Sequence, residues 1–160
     1  MKQGAIYGLC FFLFILVLFL LIAMMNGNSC ICNNNNVNKH DIDSFINNWF
    51  NATESRNPNK PFDFFAKDAV LFATVSDQFR TTPEAILDYF KMFVMLPNLK
   101  NKLIKKLITK IDNNTWGYYA FVNWSFKNKN IIARMSFVIK VHNNNKLKIA
   151  LLHSSELPTS

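Results

Sequence analysis

The sequence predicts an α+β domain held behind one membrane-spanning helix, and three features of it support that expectation. Residues 4–25 form an uncharged apolar run. Apolar residues then recur at helical spacing as far as residue 97, and from residue 100 onward they recur every second position. Helices followed by a meander of strands place helices against one face of an antiparallel sheet.

The run GAIYGLCFFLFILVLFLLIAMM, residues 4–25, is 22 residues long. At about 1.5 Å per residue a helix of that length crosses a hydrocarbon layer of about 30 Å. A secretory signal has a shorter apolar core followed by small residues at its cleavage site. Met24, Met25 and Asn26 make a poor site, so the run reads as an uncleaved signal-anchor, with a removed signal peptide as the alternative. Residues 1–3 form a short tail in which Lys2 and the terminal amine precede the span, while residues 26–38 after it carry no charge. This bias expects a single-pass topology with the C-terminal domain luminal or extracellular.

Residues 26–40 read as an asparagine-rich linker, with little to bury. Cys30 and Cys32 lie in it and Cys10 in the span, so residues 41–160 contain no cysteine and no disulfide framework. The linker pair is open to lipidation, to cross-linking of two chains, or to no role. No histidine or second cysteine pair follows at ligand spacing, so no metal is expected, and no motif calls for a cofactor.

Residues 41–160, about 120 in number, suffice for one core and not two. Phe45, Ile46, Trp49, Phe50 and Thr53 predict an amphipathic helix capped by Asp41 or Asp43 and ended by Asn57-Pro58. Residues 60–66 predict a short second helix, residues 70–75 a strand, and Ser76-Asp77 a turn. Thr82-Pro83-Glu84 opens a third helix with Ile86, Tyr89, Phe90 and Phe93 on one face, stopped by Pro97. Four strands follow at 103–111, 116–126, 131–141 and 147–155, joined by turns at 112–114, 128–130 and 143–145.

The strand at 116–126 is apolar on both faces. Trp116, Tyr118, Ala120, Val122 and Trp124 share one, and Tyr119 and Phe121 the other. Helices cover only one face, and an aromatic face left to water is costly, which predicts a homodimer through the sheet. Charge is uneven: residues 41–99 hold 5 basic and 8 acidic groups, residues 100–148 hold 11 basic groups against Asp112 alone. A basic face suits nucleic acid, anionic lipid or an acidic partner. The residues here are almost all lysine, with no reading motif, so no nucleic acid is expected as a partner.

Several spaced blocks carry a resemblance. Asp68-Ala69-Val70-Leu71, Thr74-Val75-Ser76, Arg80, the Ile86, Tyr89, Phe90, Phe93 helix and Pro97 resemble the SgcJ/EcaC-type proteins of the SnoaL-like, nuclear-transport-factor-like superfamily. These are related to the calcium/calmodulin-dependent kinase II association domain. Gly117-Tyr118, Phe121, residues 133–138, Lys148-Ile149, His153-Ser154-Ser155 and Pro158 continue the likeness across the folded part. Leu152 stands where the family usually has the first of two histidines, and Leu147 where a tryptophan is common. The resemblance implies a curved sheet wrapped by helices into a cone, with a pocket and a dimer.

In that cone Arg80, Tyr89, Arg134, His153 and Ser155 are the candidate ligand-binding residues, set around its mouth for a small anionic or carbonyl ligand. His153 is the candidate acid/base of an isomerase- or dehydratase-like alternative, with Asp77 behind it. The plainer expectation pairs Arg134 with Asp77, Asp88 or Glu156 and buries His153 in a hydrogen-bond network. A pure oligomerisation module with a filled cone is the remaining alternative. Asn51 and Asn113 are possible N-glycosylation sites, and Asn123 also fits the pattern.

Overall fold

The computed structural model describes residues 37–158. The expected signal-anchor at 4–25, the linker as far as residue 36, and Cys10, Cys30 and Cys32 lie outside these described residues. No helix among the described residues is long and apolar enough to cross a membrane.

Helix α1 (Lys39–Thr53) starts earlier than its acidic residues suggested. The cap is Asn38, whose side-chain oxygen accepts the His40 N–H at 2.8 Å and the Asp41 N–H at 3.3 Å. Asp41 instead sits three positions in and accepts the Asn38 N–H at 2.9 Å, completing a reciprocal capping box. Ile42, Ile46, Trp49, Phe50 and Thr53 form the buried face. The helix ends at Thr53, ahead of Asn57-Pro58, and Arg56 beyond its cap adopts a left-handed φ of 58°. Glu54 then ties the helix end to the sheet, accepting the Asn101 N–H at 2.8 Å and the Lys100 ammonium at 2.8 Å.

The short helix α2 (Asn59–Phe62) gives way to strand β1 (Phe65–Phe72) sooner than expected. Phe64 accepts the Ile149 N–H at 2.8 Å, which draws the following residues into the sheet and leaves no room for a longer helix. Helix α3 (Pro83–Phe93) begins as its sequence predicts, with Pro83 at the first position and the Thr82 hydroxyl accepting the Ala85 N–H at 3.2 Å.

Strands β2 (Lys100–Asp112), β3 (Thr115–Phe126), β4 (Lys129–Val141) and β5 (Leu147–Glu156) complete a five-stranded sheet in the order β1-β5-β4-β3-β2. The β3–β4 turn is carried by Lys127 and Asn128, both with positive φ (49° and 65°), the conformation that matches the twist of a tight hairpin. The turn therefore falls one residue earlier than expected. At the β2–β3 turn the Asp112 carboxylate accepts the Asn114 N–H at 2.7 Å, and this bond, with those from Thr115, keeps its pKa below the usual carboxylate range.

The sheet is mixed, not antiparallel throughout. β1 runs parallel to β5, with Val70, Leu71 and Phe72 opposite Leu151, Leu152 and His153. A helix and three strands separate β1 from β5, so no hairpin forces their directions to oppose. The face turned to the helices buries Trp116, Tyr118, Ala120, Val122 and Trp124 of β3 with Ala133, Met135, Phe137 and Ile139 of β4. All the buried core residues lie between Ile42 and Leu152, so a chain starting at Val37 contains the whole of the described core.

Candidate functional site

Against the helix-covered face of the sheet, Trp49 of α1 and Tyr89, Phe90 and Phe93 of α3 close over Leu71, Trp124, Met135 and Leu152. The cavity left between them has a volume of about 30 Å³, room for on the order of two waters. Aromatic side chains fill the rest of the cone: Trp49 meets Phe90 at 6.4 Å and Phe137 at 5.2 Å, both edge to face.

Polar groups at this cavity are few. The Thr74 and Ser154 hydroxyls are 2.7 Å apart, and Ser154 also accepts the Thr74 N–H at 3.0 Å. The Trp49 indole N–H is buried without a hydrogen-bond partner among the described residues, an expensive state for a donor. Tyr89 is buried, and burial pushes its phenol well above its ordinary pKa, opposed in part by Arg80. The Arg80 guanidinium lies 5.6 Å from the Tyr89 ring centre, and its Nη1 donates to the Ala85 carbonyl at 3.2 Å.

The other face of the sheet has a different chemistry. Arg134 Nε donates to the Ser155 hydroxyl at 2.8 Å directly across the β4–β5 ladder, and Ser136 stands opposite His153. Phe121 and Tyr119 of β3 flank Arg134 and Ser136. On the far side the His153 ring stacks on Phe72 at 5.5 Å, and Phe72 stacks on the exposed Phe79 at 4.5 Å. Tyr119 folds back over Gly117, where any Cβ would come within 2.8–3.0 Å of its ring. An open groove of about 320 Å³ runs between Lys105, Leu107, Tyr119, Phe121, Arg134 and Ser136.

The five candidate residues are therefore divided. Arg80 and Tyr89 stand on the helix side, while Arg134, His153 and Ser155 stand on the opposite face, so no common mouth collects them. Arg134 pairs with Ser155, not with Asp77, Asp88 or Glu156. Asn113 is exposed in the β2–β3 turn, Asn51 is exposed on α1, and Asn123 is half-buried on β3.

No protein-family model matches the sequence, and no curated protein does. Solved structures do. A Xanthomonas campestris protein described as a calcium/calmodulin-dependent protein kinase II association domain superposes with a TM-score of 0.71 at 26% identity, over 78% of this chain and 91% of its own. A nuclear-transport-factor-like protein of unknown function from Pseudomonas putida gives 0.67 at 12% identity, over 76% and 87%. A Parabacteroides distasonis protein described as a ketosteroid isomerase gives 0.64 at 17%, over 81% and 93%.

The fold is the SnoaL-like, nuclear-transport-factor-like one.

Within this SnoaL-like domain the inward positions are Trp49, Thr74 and Ser154, and sequence reasoning had not placed them at the cavity. Trp49 reads as an ordinary core residue. Strand alternation separates Ser154 from His153 and Ser155, but the sequence does not say which of the two faces meets the cavity. The burial of Leu152 decides between them: alternation around it sends Ser154 inward and His153 outward. Among the described residues, the cavity lining includes no carboxylate and no imidazole. No three acidic, histidine or cysteine side chains among the described residues gather as a metal site would require.

Proposed function

We propose that this SnoaL-like domain is an assembly and binding module, anchored to a membrane by residues 4–25, that pairs with a second copy through the open face of its sheet. One observation carries this reading: the face away from the helices exposes Leu107, Tyr119, Phe121, Ile132 and Leu151 at 36–64% around the Arg134–Ser155 pair. A contiguous aromatic and aliphatic surface with a polar centre is what a self-complementary interface needs. The name of the Xanthomonas neighbour, an association domain, points the same way. The isomerase-like alternative lacks support at the cavity, because His153 faces outward and general acid–base chemistry needs its proton carrier within reach of the substrate.

Sedimentation equilibrium and detergent phase partition test both parts of the reading. Residues 37–160 are expected to be a dimer in the aqueous phase, and the full chain to enter the detergent phase. Phe121→Glu, placed at the centre of the paired face, is expected to weaken the dimer by about 100-fold or more while leaving the fold intact. A monomer at tens of micromolar, or a full chain that stays in the aqueous phase, would overturn the corresponding part.

A second reading rests on the buried, unpartnered N–H of Trp49, whose side chain lines the same cavity as the Thr74–Ser154 hydroxyl pair. A small apolar compound with one acceptor, such as acetone, matches that chemistry, and entering the cavity of about 30 Å³ requires the rings that close over it to move apart. At 100 times its dissociation constant it is expected to add about 2.7 kcal/mol to stability, read as a thermal shift that Trp49→Phe diminishes. Equal shifts in both proteins would remove Trp49 from the reading.

A further inference from the structure

The edge strand β2 carries a surface that neither the core nor sheet pairing explains. It ends the sheet on its side and holds Lys100, Lys102, Lys105, Lys106 and Lys110 against a single acid, Asp112. Between these lysines, and apart from Leu107 of the open face, Ile104 and Ile111 are exposed at 53% and 55%. Ile104 and Ile111 stand where the β2–β3 register breaks, positions at which an extra residue is turned out of the ladder. Lys100 is engaged by Glu54 at 2.8 Å, Lys106 by Asp43 at 2.6 Å, and Lys110 lies 5.9 Å from the Trp116 ring centre. Lys102 and Lys105 have no acidic partner among the described residues.

Lysines alone would serve to keep a second strand from pairing with this edge. Exposed aliphatic side chains between them work against that purpose, since they make the edge more adhesive. The combination suits a phospholipid surface with anionic headgroups. Ammonium groups on flexible stems reach the phosphates while the aliphatic side chains enter the acyl boundary. Nucleic acid would take the same cations but has no place for Ile104 and Ile111, and β2 contains neither an arginine nor an aromatic ring to stack on bases. At about 3.3 Å per residue the strand offers a line about 40 Å long for such a contact.

We propose that the β2 edge docks on an anionic phospholipid bilayer, with Lys102 and Lys105 facing the headgroups and Ile104 and Ile111 inserted at the interface. This contact belongs to residues 37–158 and holds with the N-terminal apolar run removed, so it stands or falls separately from the anchor.

Co-sedimentation of residues 37–160 with vesicles tests it, since that chain contains the whole described core. Binding is expected to phosphatidylcholine vesicles that contain phosphatidylglycerol and not to phosphatidylcholine alone. Lys102→Glu with Lys105→Glu is expected to lower the partition coefficient about 25-fold or more, on the basis of about fivefold per lysine. Ile104→Ser with Ile111→Ser is expected to lower it about tenfold at unchanged charge. All four positions are exposed, and circular dichroism with a thermal melt checks that both variants keep the fold. No binding to either vesicle, or equal binding to both, overturns the proposal. So does binding that responds to the lysines and ignores the isoleucines, which is general polycation adsorption, and so does retention of RNA by a chain that leaves vesicles alone.

Discussion

Phe137→Ala is expected to cost about 3–5 kcal/mol of unfolding free energy, which lowers the melting temperature of residues 37–160 by roughly 10–20 °C. Phe137 is fully buried at the middle of β4. Its ring meets Trp49 at 5.2 Å, Phe50 at 6.2 Å and Tyr118 at 5.8 Å, each at a steep angle. It is therefore the apolar centre of the contact between helix α1 and the sheet, which Glu54 and Asp43 complete at its edge. An alanine there removes the edge-to-face contacts and leaves a void whose walls are large rings on separate elements, with little freedom to collapse. Met92→Ala is the matched control, because Met92 is 61% exposed on α3 and its loss is expected to change stability by no more than about 0.5 kcal/mol. Urea denaturation of the three proteins measures the difference. A Phe137→Ala cost below about 1 kcal/mol would mean that α1 is not held as described.

The strand that carries Phe137 was legible in advance, and so was most of the frame around it. Period-two alternation from residue 100 onward located four of the five strands, and the double-faced pattern of β3 separated Trp116 and Tyr118 from Tyr119 and Phe121 correctly. Local rules also found the start of α3, because Thr82 and Pro83 act through hydrogen bonds and a fixed φ within a few residues. What failed to read locally was set by partners far along the chain. β1 begins at Phe65 because its place is beside β5, more than 80 residues away, and its parallel direction follows from that same pairing. The cap of α1 passed to Asn38 because Asp41 was better used in return, a reciprocity that a single residue type does not announce.

The candidate site was harder for a geometric reason. Arg80 and Arg134 share a chemistry but not a face, and strand parity decides between the two faces one residue at a time. A cone drawn from resemblance alone put His153 with Arg80, whereas the buried Leu152 before it turns His153 away from the cavity. Ser154 and Trp49, which line the cavity, carry no charge, and nothing local in the sequence placed them there. Charged residues stand out in a sequence. Neutral donors inside an apolar cavity become visible only once it is known which side chains surround them.

Stability is expected to fall steeply above about pH 10, through Tyr89 and Tyr118. Burial pushes both phenols far above their ordinary pKa near 10; Arg80 opposes the effect at Tyr89, and Asp43 beside Tyr118 adds to it. The unfolded chain therefore sheds these protons near pH 10 while the folded chain keeps them. Over that range the unfolded state binds fewer protons, so unfolding becomes easier as pH rises. The stabilisation is fully present below pH 10 and is lost progressively above it, by up to about 1.4 kcal/mol per pH unit for each tyrosine. Both tyrosines act in the same direction over this range, so their losses add. Lysines discharging over the same range relieve repulsion within the basic half of the domain and act in the opposite sense, so the comparison must be made at constant lysine content. Tyr89→Phe with Tyr118→Phe provides it: urea midpoints from pH 8 to 12 are expected to drop for the unmodified chain and to stay nearly level for the double variant. Parallel curves for the two proteins would show that neither phenol is held in its protonated form by the fold.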